Sequence, residues 1–147
     1  MGSHFKDIHL GALIKEKVIE LEIETSRICN FLKCREEEVK EMYLQKDLQT
    51  NIVLKWSKLL EYDFFRIYSQ HLILFAPTKT RYNNSQSDTK KSNLPQFRKN
   101  IYTRDIIDFI LEQINSGEKT RQQVIDEYRI PKTTLYKWIV KDNKKNN

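Results

Sequence analysis

The chain has 147 residues, 39% hydrophobic and 31% charged, with only three glycines and three prolines. That length fits one domain or two small ones, so few turn residues argue against an all-β fold, and no run of 18 or more apolar residues offers a membrane span. The net charge of +6 is uneven: residues 1–76 hold 11 Lys/Arg against 12 Asp/Glu, while residues 77–147 hold 15 against 8. A basic half beside a near-neutral one fits contact with phosphate, and it equally fits a solvated basic surface; charge alone does not separate them.

The first helix is expected over Leu10 to Leu21, where Leu10, Leu13, Ile14, Val18 and Leu21 recur on one stripe. No apolar signal-peptide core precedes it. Thr25 or Ser26 can cap a second helix that turns Ile28, Phe31 and Leu32 inward. A third carries Val39, Met42 and Tyr43, and a fourth, starting near Thr50, carries Val53, Trp56, Leu59 and Leu60. These short helices have enough apolar residues for a core of their own.

Glu61 to Ala76 is denser in aromatic and aliphatic residues than so small a core needs, which suggests a dimer seam over residues 62–75. Leu72 to Phe75 fits either a helix end or a short strand, and Pro77 ends the element in both cases. From Thr78 to about Asn93 the chain is polar and reads as a flexible linker. Thr103 can then cap a helix bearing Ile106, Ile107, Phe109, Ile110 and Ile114, which Gly117 stops. Thr120 caps the next, with Val124, Ile125 and Tyr128 inward, and Pro131 suits the first turn of the last.

Two stretches share one twelve-residue frame, Ile28–Val39 and Val124–Leu135. Apolar residues fall at frame positions 1, 2, 5, 7 and 12, with a short turn between positions 5 and 8. That is the spacing of a helix-turn-helix. Positions 9 to 11 face outward where a DNA reader meets base edges. They are Glu36-Glu37-Glu38 in the first copy and Lys132-Thr133-Thr134 in the second. Three adjacent carboxylates repel a polyanion, so the first copy reads as a scaffold for dimerisation or for a partner protein, and the second as the reader.

On the last helix Leu135, Trp138 and Ile139 should dock on the preceding helices. Lys132, Thr133, Tyr136 and Lys137 then point outward, with Thr134 beside them, as an ordinary solvated face or as a set that suits a duplex. Arg121 and Gln122 are candidate phosphate clamps, and Arg104 is a further one. Gln96-Phe97-Arg98-Lys99-Asn100 reads either as a basic arm for the minor groove, with Arg98 and Lys99 on the backbone, or as a solubilising linker end. Cys29 and Cys34 lack a second Cys/His pair and read as packing residues rather than zinc ligands. No phosphate loop or Cys/His nucleophile pair stands out, so no catalytic residue, metal or cofactor is expected.

Residues 9–65 resemble the lambda-repressor/Cro-like (XRE) helix-turn-helix domain, through Ile28-Cys29-x2-Leu32-x-Cys34 and the later helix ending Leu59-Leu60-Glu61-Tyr62-Asp63-Phe64-Phe65. Residues 101–141 resemble the homeodomain-like helix-turn-helix at the N-terminus of insertion-sequence transposases, through Val124-Ile125-x2-Tyr128-x-Ile130-Pro131-Lys132-Thr133-Thr134-Leu135-Tyr136-Lys137-Trp138-Ile139. The first likeness implies operator binding by a dimer, from which the three glutamates depart. The second implies recognition of terminal repeats, and no acidic catalytic triad follows it within these residues.

The expected fold is all-α, with two helix-turn-helix modules: a dimerising XRE-like domain at 5–76, a linker at 77–95, a transposase-like DNA-binding domain at 96–142 and a tail at 143–147. The expected function is sequence-specific binding of double-stranded DNA, as a transcriptional regulator or mobile-element-derived factor, in the cytoplasm at the nucleoid. It is not expected to be an enzyme or to meet a membrane. Two alternatives remain: an adaptor whose acidic N-terminal domain docks a protein, and a single-strand binder stacking bases on Tyr102, Tyr128 and Tyr136.

Overall fold

The computed structural model describes residues 6–77, 93–95 and 100–144. Among these there are eight α-helices and no strand: α1 (Leu10–Glu20), α2 (Thr25–Leu32), α3 (Glu36–Leu44), α4 (Thr50–Leu59), α5 (Phe65–Phe75), α6 (Arg104–Asn115), α7 (Arg121–Tyr128) and α8 (Lys132–Asn143). The chain divides into two compact units, Met1–His71 and Leu72–Asn147, with the division falling inside α5. No helix among the described residues is long and apolar enough to cross a membrane.

In the first unit α1 packs on α3, and α2 packs on both α3 and α4. Leu10, Ile14, Ile28, Val39, Val53, Trp56, Leu60 and Phe64 form the fully buried centre, with Met42, Tyr43, Phe65, Ile67 and Tyr68 closing its edges. Trp56 is buried without stranding its polar atom, since its indole N–H donates to the Met42 thioether at 3.4 Å. Two expected inward residues are not inward. Phe31 is 45% exposed and Leu21 44% exposed. A helix of eight residues over so narrow a core buries only its i, i+4 pair, here Ile28 and Leu32, and Leu21 lies just past the end of α1.

The start of α1 shows how a helix end is satisfied by tertiary structure. Its first four amides need acceptors from outside the helix. Leu10 N–H donates to Lys46 O at 2.9 Å and Gly11 N–H to Gln45 O at 3.1 Å. Ala12 N–H donates to His9 Nδ1 at 3.2 Å, and Leu13 N–H to His9 O at 3.2 Å. This head-to-tail meeting of α1 with the end of α3 demands a glycine. A Cβ on Gly11 would stand 2.5 Å from Gln45 O and 2.7 Å from Tyr43 O, and closer still to Met42 O. An Asp7–Lys46 ion pair at 2.5 Å lies beside the same junction.

Two helix starts differ from expectation by one residue. α2 is capped by Glu24 rather than by Thr25 or Ser26, with no side-chain bond to its amides. Leu72 to Phe75 is helix, the end of α5. Pro131 is the N-cap of α8 (φ −56°, ψ 134°) rather than a first-turn residue. In the second unit Thr103 and Thr120 cap as expected, the latter as a reciprocal box: Thr120 Oγ1 accepts from Gln123 N–H at 3.1 Å, and Gln123 Oε1 from Thr120 N–H at 2.8 Å. Gly117 (φ 77°) follows the end of α6, where its left-handed backbone is free of a Cβ penalty.

Candidate nucleic-acid interface

Both frame copies fold in the same register. Position 6 is left-handed in each, Lys33 at φ 57°, ψ 47° and Arg129 at φ 51°, ψ 38°. Position 8 is the N-cap of the following helix, Arg35 before α3 and Pro131 before α8. Positions 1, 5 and 12 are buried in both: Ile28, Leu32 and Val39; Val124, Tyr128 and Leu135. Position 7 is buried as Ile130 in the second copy and half-buried as Cys34 in the first.

Behind α8 the second unit is anchored by Ile106, Ile110, Val124, Ile130 and Leu135, all at most 1% exposed. Trp138 and Ile139 are half-buried, and the Trp138 ring meets Tyr102 edge-on with centroids 4.9 Å apart. A buried polar pair fixes α7 to α6: Tyr128 Oη donates to Gln113 Oε1 at 2.9 Å. Sequence reasoning missed Gln113, although its spacing from Ile106 and Ile110 sets it on the apolar stripe of α6. Tyr128 is only 8% exposed, so it offers no stacking surface, which corrects its place in the single-strand alternative.

In front, Lys132, Thr133, Tyr136 and Lys137 are exposed and Thr134 is half-buried. The fold brings Arg121, from the start of α7, to this face. The Arg121 guanidinium and the Lys132 ammonium each lie 5.7 Å from the centroid of the Tyr136 ring. Such contacts contribute about 0.5–1 kcal/mol each at exposed sites, enough to bias where long side chains rest. Among the described residues neither cation is paired with a carboxylate. They gather at the positive end of the α8 dipole, where the amides of Lys132 and Thr133 have no acceptor within the helix.

The other expected contacts are arranged differently. Gln122 donates its amide to Asp126 Oδ1 at 2.9 Å, along its own helix. The Arg104 Nε–H is shared between the two carboxylate oxygens of Asp108, at 3.1 and 3.2 Å. Lys119 is paired with Glu127. Arg98 and Lys99 lie outside the described residues. A shallow depression is lined by Arg104 with the carboxylates of Asp108, Glu112 and Asp142, a poor seat for phosphate. No group of three or more metal-ligating side chains stands together among the described residues.

In the first copy the glutamates serve their own helix. Glu38 accepts from Arg35 N–H at 2.8 Å, and Glu36 pairs with Lys40 at 2.8 Å. The hydrogen bond and charge of Lys40 hold the Glu36 carboxyl below its ordinary range. All three carboxylates lie in the first turn of α3, where they complement the helix dipole. Comparison with protein-family models, with curated proteins and with solved structures found no match.

Proposed function

We propose that the second unit binds double-stranded DNA in a sequence-specific way, with α8 lying in the major groove. The observation that carries this reading is the cluster of Arg121, Lys132 and Tyr136. Two cations without a carboxylate partner among the described residues and an exposed phenol meet at the N-terminal end of a helix whose opposite face packs through buried Leu135 and half-buried Trp138 and Ile139. Phosphate is the natural counter-charge for such a cluster. Thr133 and Lys137, on the same exposed face, would then meet base edges, with Thr134 and Gln122 alongside, and Arg98 and Lys99 would extend the backbone contact. On this reading the protein is a regulator or a mobile-element-derived factor working in the cytoplasm at the nucleoid.

The first unit fits a different task. Its equivalent surface is acidic and internally bonded, which disfavours contact with a polyanion. We assign it to pairing two copies, together with residues 62–75, where Tyr62, Leu72 and Phe75 are 41%, 55% and 49% exposed. A dimer would present two readers to two half-sites. The competing reading, an adaptor with only non-specific DNA affinity, is favoured by the same acidic turn.

Selection of bound duplexes from a random pool at near-physiological salt, using the full chain, tests the proposal. A recovered motif that is lost with Thr133→Ala plus Tyr136→Ala supports it. Lys132→Ala should weaken binding across all sequences and lower the slope of log K against log salt by about 0.9. Recovery without any motif, collapsing as salt rises, overturns specific reading in favour of the adaptor.

A further inference from the structure

The chain's two cysteines, Cys29 and Cys34, both free thiols, bracket the end of α2. The helix closes with Lys33 in the left-handed region, and the Lys33 and Cys34 N–H groups both donate to the Cys29 carbonyl, the latter at 3.2 Å. In this type of closure the residue after the left-handed one turns its side chain back onto the last turn of the helix. Here those two residues are the two cysteines. A backbone bond of this length holds their Cα atoms roughly 5–6 Å apart, inside the ~4.4–6.8 Å that a disulfide spans.

Both residues are half-buried, packed against the same core. Burial pushes the Cys34 thiol up, and the neighbouring Cys29 and Glu38 add to that shift. Packing by itself does not call for sulfur at these positions. The second frame copy fills them with Ile125 and Ile130 around a turn of the same handedness.

We propose that Cys29 and Cys34 form a reversible intrachain disulfide across the α2–α3 turn, by exchange with a small-molecule disulfide. The Cys29 thiolate attacks one sulfur of the incoming disulfide, and a mixed disulfide forms as one small thiolate leaves. The Cys34 thiolate then attacks the Cys29 sulfur, closing the protein bond and expelling the second small thiolate. The two protons lost by the protein thiols end on the two released thiols. The protein is oxidised by two electrons and the small disulfide is reduced by two. Cys34 is assigned as the resolving thiol because burial disfavours its thiolate. Closing so short a loop adds little chain entropy to stability. Its effect is local: Lys33 is held in its left-handed conformation and the angle between α2 and α3 is clamped. This inference stands whether or not the second unit reads DNA.

The test uses the full chain, equilibrated with oxidised glutathione, then alkylated with iodoacetamide and weighed intact. The expected product has lost two hydrogens, carries neither glutathione nor alkyl groups, runs as a monomer without reductant, and reverts with dithiothreitol. Cys34→Ser, or Cys34→Val should serine disturb the core, should instead retain glutathione on Cys29. Amide exchange at Cys34 to Glu38 should slow several-fold on oxidation. Retention of glutathione by the unmodified chain, a cross-linked dimer, or two alkylatable cysteines after equilibration each overturns the proposal.

Discussion

Gly11→Ala should be among the most damaging single-methyl changes in the first unit. The added Cβ meets carbonyl oxygens of Met42, Tyr43 and Gln45, the last at 2.5 Å, whereas ordinary contact begins at 3.4 Å. Backbone oxygens at the end of a packed helix cannot rotate away, so α1 must retreat by about 1 Å. That lengthens the Leu10–Lys46 and Gly11–Gln45 hydrogen bonds, now 2.9 and 3.1 Å, beyond useful range. Two such bonds are worth about 1 kcal/mol each. Displacing Leu10 and Ile14 from the core costs about 1–3 kcal/mol more. Exchange of glycine for alanine in a helix returns at most about 1 kcal/mol. The net loss is roughly 2–4 kcal/mol, a large part of a small domain's ~5–15 kcal/mol. Trp56 and Trp138 are the two tryptophans, one in each unit, so Trp138→Phe leaves Trp56 to report on the first unit alone. In that background, urea unfolding should show a midpoint lowered by roughly 1–4 M, given a slope of ~1–2 kcal/mol/M. A midpoint unchanged or raised by Gly11→Ala would refute the close junction of α1 with α3.

Three further outcomes are expected. Tyr128→Phe leaves the Gln113 carbonyl unsatisfied in a buried place and should cost the second unit about 1–2 kcal/mol, while adding Gln113→Leu should recover most of it; amide exchange in α6 to α8 reads both, and an additive double variant contradicts the pairing. Ser57 Oγ is the one buried side-chain polar atom without a hydrogen-bond partner among the described residues, so Ser57→Ala should raise the melting temperature, with a gain of about 0.5–1 kcal/mol; a loss would reveal a partner. Lys46 holds the Asp7 carboxyl below its ordinary range, and Asp7 raises Lys46 in turn. The contribution of the pair is therefore present above the ordinary Asp value and fades as the pH falls through the depressed one; it fades again as the pH rises through the raised lysine value. Asp7→Asn should flatten the acid side of the stability–pH curve of the first unit, and an unchanged slope rules the pair out as a source of it.

The parts legible from the sequence were those written in local periodicity. The apolar spacing of both frames, the Thr120–Gln123 box and the Gly117 stop all depend on neighbours within a few residues, and the helices stand where those signals set them. Errors came where burial depends on distant packing. Phe31 looks core-facing by spacing, yet it is 45% exposed. Glycine at position 11 gives no local sign of its need, because the carbonyls that exclude a side chain come from residues 42 to 45. At the site, exposure of Lys132, Thr133 and Tyr136 followed from the frame. The approach of Arg121 to Tyr136 crosses the turn between two helices and is a property of the folded unit alone.

Four described residues other than glycine adopt a left-handed backbone, Glu22, Lys33, Glu61 and Arg129, and all four are charged. Each carries a steric penalty of roughly 1 kcal/mol that glycine would not. The protein thus holds a reserve of heat tolerance outside its core and outside α8. Glycine at 22, 61 or 129 would draw on it without touching the reading face, partly offset by a looser unfolded chain. Position 33 is the exception: there the rigidity of a side-chain-bearing turn is also what keeps two sulfurs in line.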